Sequence, residues 1–226
     1  MQITEIYRSI QGESSFAGIA CTFVRLTACN LRCTWCDSEY TFTGGKKMAA
    51  DEVEKAVLEL SPAGLVEITG GEPMLQEREL VPLMERLLAR GYTLLLETSG
   101  ERPLEQVPAA VHKIVDVKCP GSGEGGTFRR SNLATLTPRD EVKFVLNGRE
   151  DYEFARDFIR ESALEKKAGA VIFSPAFRKS PSRERDTANC ELDPRALAEW
   201  ILEDRLNVRL GLQIHKFIWE PAAKGV

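Results

Sequence analysis

Three cysteines stand close together in the first fifth of the chain. Cys29, Cys33 and Cys36 have the spacing C-x3-C-x2-C and follow a predicted strand. Soft thiolates of this kind suit iron–sulfur clusters. Three local thiolates can hold three irons of a [4Fe–4S] cluster and leave the fourth iron open. An open iron can chelate the amino and carboxylate groups of S-adenosylmethionine (SAM), which positions its sulfonium for one-electron reduction.

A zinc site is the alternative use of these thiols. Cys119, Cys190 or one of the two histidines could complete it. Structural zinc usually pairs two CxxC or CxxH knuckles, so the cluster is the preferred interpretation. A non-catalytic zinc or iron–sulfur module remains the alternative from another functional class, and metal content with the iron–sulfur absorption band would separate the two. Cys21, Cys119 and Cys190 lack ligand spacing.

A second motif, Thr-Gly-Gly-Glu-Pro, occupies residues 69–73 after a predicted strand. Its glycines permit close backbone approach, and Pro73 suits the first position of a helix. Alone, it could equally be an ordinary strand-to-helix turn. Together with the cysteine loop it resembles the radical SAM superfamily, in which this stretch meets the amino group of the methionyl part.

Composition limits the remaining function classes. The 226 residues are 43% hydrophobic and 28% charged, which predicts a sizeable core and a single domain over residues 1–226. The net charge of -4 and the lack of a long basic block argue against nucleic acid and favour a small-molecule substrate. No signal peptide and no apolar run near ~20 residues is found, so we expect a cytoplasmic protein without a membrane partner or disulfides.

Short β-rich runs alternate with amphipathic segments, which predicts βα units. The predicted strands are Ile19–Leu26, Leu65–Thr69, Tyr92–Glu97, Val111–Val117, Glu141–Leu146, Ala170–Phe173 and Val208–Ile214. The predicted helices are Asp51–Leu60, Leu80–Ala89, Tyr152–Lys166 and Arg195–Arg205. In the first helix, Val53, Ala56, Val57 and Leu60 should share one buried face.

These elements predict an α/β fold with a mostly parallel sheet. About six main strands are too few for a closed eightfold barrel, so we expect a partial (βα) barrel of the radical SAM type. The loops after the strands should gather at the carboxyl edge of the sheet, where such folds place their active sites. Gly121–Thr137 and Arg178–Asn189 read as loops or lids.

Further signatures between Ile6 and Pro221 resemble the 7-carboxy-7-deazaguanine synthase family, which acts in the pathway to deazapurines such as queuosine. They are Ser-Ile-Gln-Gly-Glu-Ser at 9–14, Phe-Val-Arg-Leu at 23–26 and Gln-Ile-His-Lys-Phe-Ile-Trp-Glu-Pro at 213–221. The resemblance implies a lyase in which a 5′-deoxyadenosyl radical removes hydrogen from C6 of 6-carboxy-5,6,7,8-tetrahydropterin. Ring contraction and ammonia loss would give 7-carboxy-7-deazaguanine, with SAM regenerated.

The resemblance also implies a set of substrate-binding residues. They are Ile10, Gln11, Gly12, Glu13, Arg25, Thr69, His215 and Pro221. The side-chain amide of Gln11 and nearby backbone groups can form hydrogen bonds with the amide-like edge of a pterin. Glu13 can accept hydrogen bonds from its donor edge, and Arg25 can pair with its carboxylate. Without the resemblance, Gln11 and Glu13 would be a polar turn and Arg25 a surface ion pair. His215 would be a satisfied core residue on an apolar strand, the interpretation kept for His112.

Cofactor residues follow from the same resemblance. The SAM pocket would use Trp35, Cys36, Asp37, Gly71, Glu72, Glu97, Asp116, Val117, Lys118, Ser174, Pro175, Ala176 and Phe177. Ser38 matches a hydroxyl residue, threonine in many members, that binds Mg²⁺ beside the substrate carboxylate. Without the resemblance, Ser38 would be an ordinary hydroxyl in a turn. Glu97 and Asp116 would be carboxylates that cap or pair locally at strand ends, and Lys118 would be solvated. A common sheet edge favours the pocket.

The family resemblance also implies the classes of partner that the protein would have. A flavodoxin or ferredoxin would supply electrons, and the family suggests a homodimer. Some members end at the position of Pro221 and present a terminal carboxylate to the substrate, whereas this chain continues to Val226. A rival enzyme class is an activase that installs a glycyl radical in a partner polypeptide. A test with 6-carboxytetrahydropterin alone would separate the two.

Overall fold

The computed structural model describes residues 1–179 and 181–226. Ser180, which falls in the predicted loop Arg178–Asn189, lies outside the described residues. Across these two ranges, no helix combines the length and the apolar character needed to cross a membrane.

One sheet organises the described residues. Its nine strands there are β1 (Gln2–Ile10), β2 (Ala20–Leu26), β3 (Lys46–Lys47), β4 (Leu65–Gly70), β5 (Thr93–Thr98), β6 (His112–Asp116), β7 (Glu141–Leu146), β8 (Ala170–Pro175) and β9 (Arg209–Leu210). Their order is β3-β1-β2-β4-β5-β6-β7-β8-β9. All neighbours from β2 to β9 are parallel, which confirms the mostly parallel sheet. At one edge β1 pairs antiparallel with both β2 and β3.

Five α-helices accompany the strands in the same part of the chain. They are α1 (Ala50–Leu60), α2 (Glu77–Ala89), α3 (Arg149–Ser162), α4 (Pro194–Glu203) and α5 (His215–Ile218). The four predicted helices coincide with α1 to α4, and six predicted strands coincide with β2 and with β4 to β8. The order of these ten elements along the chain is therefore the predicted one, whereas β1, β3 and α5 were not among the predicted elements.

The predicted strand Val208–Ile214 is largely wrong. Only Arg209–Leu210 pairs with β8, and Gly211 closes that ladder with a hydrogen bond to the Phe173 carbonyl. The chain then leaves the sheet, since the Ile214 amide donates to the Gly12 carbonyl at 2.9 Å. A contact with a distant loop, which the local pattern does not record, ends this strand early.

The predicted apolar face of α1 needs one correction. Val53 and Val57 are fully buried, whereas Leu60 is 37% exposed because it lies in the last turn of the helix, beyond the core. Glu54 is buried instead, and its carboxylate pairs with Arg86 and Arg90. Two guanidinium groups thus replace the water that a buried carboxylate would otherwise need.

The buried side chain of Asn132 anchors the centre of the loop predicted at Gly121–Thr137. Buried Asn132 donates to the carbonyls of Gly100 and Arg102, both at 2.8 Å, and accepts from the Leu104 amide at 3.1 Å. A short 3-10 turn, Arg130–Ala134, carries this asparagine. The segment is irregular, as predicted, but it is anchored at its centre.

The two faces of the sheet have different chemistry. Alternate side chains such as Val24, Ile68 and Phe144 pack against the helices in the main core. The opposite face begins with a smaller apolar cluster made of Cys21, Phe23, Leu65, Leu95 and Ile114. Two residues further along their strands, the same face carries Arg25, Glu67, Glu97 and Asp116. Since side chains alternate with period two, each of these four strands carries a charged residue on this inner face beyond its apolar one.

We expect the Leu96→Ala substitution to lower the free energy of unfolding by about 2–5 kcal/mol, because Leu96 is fully buried in central strand β5. The matched Leu202→Ala substitution in α4 should change it by no more than about 0.5 kcal/mol, since Leu202 is 76% exposed. Chemical denaturation of both variants gives the comparison. Equal losses would contradict the placement of the core.

Candidate active site

A cavity of about 540 Å³ opens where the parallel strands end. This volume is typical of a site for a small molecule. Predicted site residues that line it are Ile10, Gln11, Gly12, Glu13, Arg25, Cys29, Cys33, Trp35, Cys36, Asp37, Ser38, Thr69, Gly71, Glu97, Asp116, Lys118, Phe177, His215 and Pro221. The fold thus gathers both ends of the chain and the strand ends between them around one space.

Five predicted site residues lie behind the cavity wall. They are Glu72, Val117, Ser174, Pro175 and Ala176, all of them buried. The Glu72 carboxylate accepts hydrogen bonds from the Thr98 hydroxyl at 2.7 Å and from the amide and hydroxyl of Ser99 at 2.8 and 2.6 Å. It therefore ties the Gly-Gly-Glu-Pro turn to the end of β5, and its carboxylate does not face the cavity.

The cysteine loop rests directly on this turn. A Cβ on Gly71 would lie 2.2 Å from the Ala28 carbonyl oxygen and 2.8 Å from Cys29 Cβ, so only glycine fits here. Ala28 itself has φ of +80°, a sparsely populated conformation for a residue with a side chain. The Glu72 amide holds it by donating to the Ala28 carbonyl at 2.9 Å. The two motifs form one structural unit.

The three cysteines of the loop are free, partly buried and directed to the same cavity. Within the described ranges, no three His, Cys, Asp or Glu side chains converge on a single metal ion. A [4Fe–4S] cluster makes a different demand, because each thiolate binds a separate iron and the ligands stand apart. Cys119 and Cys190 are buried elsewhere and do not line the cavity. The donor set fits a cluster better than mononuclear zinc.

Gln11 shapes the loop after β1. Its Oε1 accepts from the amides of Glu13 and Ser14 at 2.8 and 3.0 Å, and its Nε2 donates to Glu67 at 3.0 Å. These bonds occupy much of the side-chain amide. Gln11 therefore sets the backbone of its neighbours and the position of Glu13 at the cavity wall.

Two further side chains fix the outer part of this loop. The Ser15 amide donates to the Glu141 carboxylate at 3.1 Å, and His112 Nε2 lies 2.9 Å from the same carboxylate. Phe16 packs edge-on against the His112 ring. His112 is thus a satisfied structural residue, as expected.

Arg25 belongs to a partly buried network. Its Nε donates to Glu5 at 2.9 Å and its Nη2 to the Tyr7 hydroxyl at 2.8 Å, while Tyr40 donates to the same Glu5 carboxylate. The side chain is only 16% exposed, so the simple surface ion pair is wrong. A guanidinium has five donors, and the remaining ones can reach an anion in the cavity.

The carboxyl-terminal segment closes one side of the cavity. His215 begins helix α5 and does not lie on a strand, and its ring packs so closely on Gly12 that a Cβ there would lie 2.3 Å from Nδ1. Burial lowers the pKa of His215, which favours the neutral imidazole. Lys216 donates to Asp37 at 2.7 Å and so links this segment to the cysteine loop. Residues 222–226 also line the cavity.

Among the charged residues that line the cavity and were not predicted, two lie on strands of the sheet, Glu67 on β4 and Lys143 on β7. Burial, followed by the charge of Glu97, raises the pKa of Glu67 well above its usual value. Lys143 Nζ lies 2.6 Å from Glu13 and 2.5 Å from Glu97. Burial would lower the pKa of Lys143, but the surrounding carboxylates raise it. The sequence signal that could have identified these two residues was a charged side chain inside a predicted strand, in Leu65–Thr69 and in Glu141–Leu146.

Comparisons with known proteins agree with this geometry. The model of the Radical SAM superfamily matches residues 24–163. A 7-carboxy-7-deazaguanine synthase of Koribacter versatilis (strain Ellin345) is 69% identical over 226 residues, 100% of both chains. The chain belongs to the 7-carboxy-7-deazaguanine synthase family. The family resemblance drawn from the motifs is thereby confirmed.

A family relative and a solved structure extend the agreement. A 7-carboxy-7-deazaguanine synthase of Chlorobaculum tepidum is 42% identical over 229 residues, covering 100% of this chain and 97% of the relative. The crystal structure of QueE from Escherichia coli matches with a TM-score of 0.72 at 22% identity, over 94% of this chain and 93% of that one. This structural match confirms the predicted fold. Membership of the radical SAM superfamily implies a [4Fe–4S] cluster and SAM as cofactors.

The contact between the two motifs gives a prediction. Gly71→Ala should displace the cysteine loop, lower the iron and sulfide content after anaerobic reconstitution, and cost about 1–3 kcal/mol of stability through overpacking. Gly148→Ala is the matched control, since a Cβ at Gly148 meets nothing within 4 Å. Equal iron content in both variants would show that the loop does not depend on this contact.

Proposed function

We propose that this chain converts 6-carboxy-5,6,7,8-tetrahydropterin into 7-carboxy-7-deazaguanine with loss of ammonia, as a radical SAM lyase of 7-deazapurine (queuosine-type) biosynthesis. One observation carries the proposal. The three cysteines and the groups suited to a carboxylated pterin line one cavity. A relative of that name, 69% identical along the whole chain, supports the same reaction.

On the cofactor side, Cys29, Cys33 and Cys36 would hold the cluster. When bound, the cluster and SAM together supply a 5′-deoxyadenosyl radical able to abstract hydrogen. Gly71, which has no side chain, would let the backbone approach the methionyl part closely. Asp116 suits a hydroxyl-bearing cofactor, because its buried Oδ1 has no hydrogen-bond partner among the described residues, while its Oδ2 is held by Lys118 at 2.8 Å.

On the substrate side, Arg25 would pair with the carboxylate and Glu13 would accept from the donor edge of the pterin. Burial would raise the pKa of Glu13, but Lys143 and His215 lower it, so this carboxylate is ionised at neutral pH and accepts hydrogen bonds. The backbone of Ile10 and Gly12, with Thr69, His215 and Pro221, would complete the substrate wall. Arg25 and Glu13 are already held by hydrogen bonds within the protein, so these two side chains need little ordering on binding.

Ser38 would contribute a hydroxyl ligand to Mg²⁺. It lines the cavity beside Asp37, to which its hydroxyl donates at 3.0 Å. Mg²⁺ prefers oxygen ligands and uses few from the protein, with substrate oxygens completing its shell. In this place Ser38 would help to orient the substrate carboxylate.

The wider context is part of the same proposal. The chain would act as one domain over residues 1–226, as a homodimer in the cytoplasm, and take electrons from a flavodoxin or ferredoxin. These expectations follow from the sequence and the family resemblance of its motifs, and they stay predictions.

We expect the anaerobically reconstituted protein to form 7-carboxy-7-deazaguanine from 6-carboxytetrahydropterin, SAM, Mg²⁺ and reductant, with no protein partner. Mass spectrometry identifies the product. Formation of 5′-deoxyadenosine alone would contradict the proposed substrate and favour the glycyl-radical activase.

Ser38→Ala should lower turnover roughly tenfold or more, since the metal orients the substrate, while cluster content stays near that of the parent protein. Ser38→Thr keeps a hydroxyl ligand and serves as the matched control. Turnover measured against Mg²⁺ concentration, with iron analysis, tests the prediction. Full activity with unchanged Mg²⁺ dependence in the alanine variant would refute the role of Ser38.

A further inference from the structure

Lys143 is a buried cation at the floor of the cavity. Its side chain is 3% exposed, and its Nζ lies 2.6 Å from Glu13 and 2.5 Å from Glu97. Asp116 lies 3.8 Å away. These acids come from three separate elements, the loop after β1, the strand β5 and the strand β6. One ammonium therefore contacts the carboxylates of all three.

The charges around Lys143 require such a cation. Glu13, Glu97 and Asp116 would repel one another if ionised together, and a buried carboxylate without a partner is costly. Glu67 adds a fourth buried carboxyl, which Gln11 holds at 3.0 Å. Lys118 pairs at 2.8 Å with the same Asp116 oxygen, Oδ2, that Lys143 approaches. Lys143 is thus the ammonium within reach of the acids on both sides.

These acids belong to different halves of the proposed site. Glu13 lies on the substrate side, and its Oε1 also accepts from Gln213 at 2.8 Å. Glu97 and Asp116 lie on the cofactor side. The distance between two bound reactants decides whether a transfer between them succeeds, and a displacement of about 1 Å can cost about a hundredfold in rate.

We propose that Lys143 is a positioning residue that fixes Glu13 relative to Glu97 and Asp116, and so sets the alignment of substrate and cofactor. This inference rests on the proposed function and adds a residue outside the expected set. Lys143 neutralises the acids and joins the loop after β1 to the sheet within the cavity. Its loss should let the two halves of the site shift relative to each other.

The test uses Lys143→Met in the reconstituted holoenzyme. We expect the ratio of 5′-deoxyadenosine to product to rise about tenfold, since misaligned turnovers end abortively. The dissociation constant for 6-carboxytetrahydropterin, measured by anaerobic calorimetry, should rise about a hundredfold, because Glu13 loses its buried partner. Lys143→Arg, which keeps the charge, should return both values part of the way to those of the parent.

Lys113 provides a matched control. It is a buried lysine on the neighbouring strand β6, paired with Asp140 at 2.9 Å, and it does not line the cavity. Lys113→Met should lower thermal stability while leaving the ratio of 5′-deoxyadenosine to product unchanged. A purely structural role for Lys143 would make the two methionine variants behave alike.

The outcomes separate the two proposals. A parent protein that forms no 7-carboxy-7-deazaguanine refutes the proposed function. A productive parent with an unchanged ratio and affinity in Lys143→Met refutes the positioning role alone. Should the methionine variant not fold, Lys143→Gln decides in its place, because its amide can still donate to one carboxylate. If the glutamine variant kept the parent's ratio of 5′-deoxyadenosine to product and the parent's affinity for 6-carboxytetrahydropterin, the inference would be overturned.

Discussion

Period-two alternation along the parallel strands is the constraint on which the rest of this molecule depends. One face must stay apolar because helices cover it, which leaves only the opposite face for chemistry. That face is apolar where the strands begin, at Phe23, Leu65 and Leu95, and charged two residues later. The inner surface therefore passes from a small core to a polar cavity within one strand length, and the strand ends deliver their charges together.

Charges brought together in this way need compensation inside the protein. Lys143 meets acids from both sides of the cavity, and Lys118 holds Asp116. Gln11 restrains Glu67 and also shapes the loop that carries Glu13. A set of fixed charges and dipoles of this kind requires little rearrangement when a polar ligand enters. The same groups that stabilise the cavity thus prepare it for binding a polar ligand.

The cysteine loop depends on backbone packing more than on side-chain chemistry. Gly71 leaves no room between its turn and Ala28, and Glu72 fastens that turn to the end of β5. The glutamate of this motif is therefore structural in its side chain, although the motif as a whole borders the cavity. A motif can mark a functional site while some of its residues serve only to hold the others.

The sequence by itself determined the order of six strands and four helices, and its motifs indicated the family and three candidate thiol ligands, because spacing and periodicity are local properties of the chain. It did not determine the partners of Arg25, the buried position of Glu72 or the helical setting of His215. Nor did it identify Lys143, which reads as one of two charged residues in strand β7. These features depend on which distant carboxylates, carbonyls and loops the fold brings within hydrogen-bond distance. Only the tertiary structure decides that, because electrostatic and packing energies depend on distance in space and not along the chain.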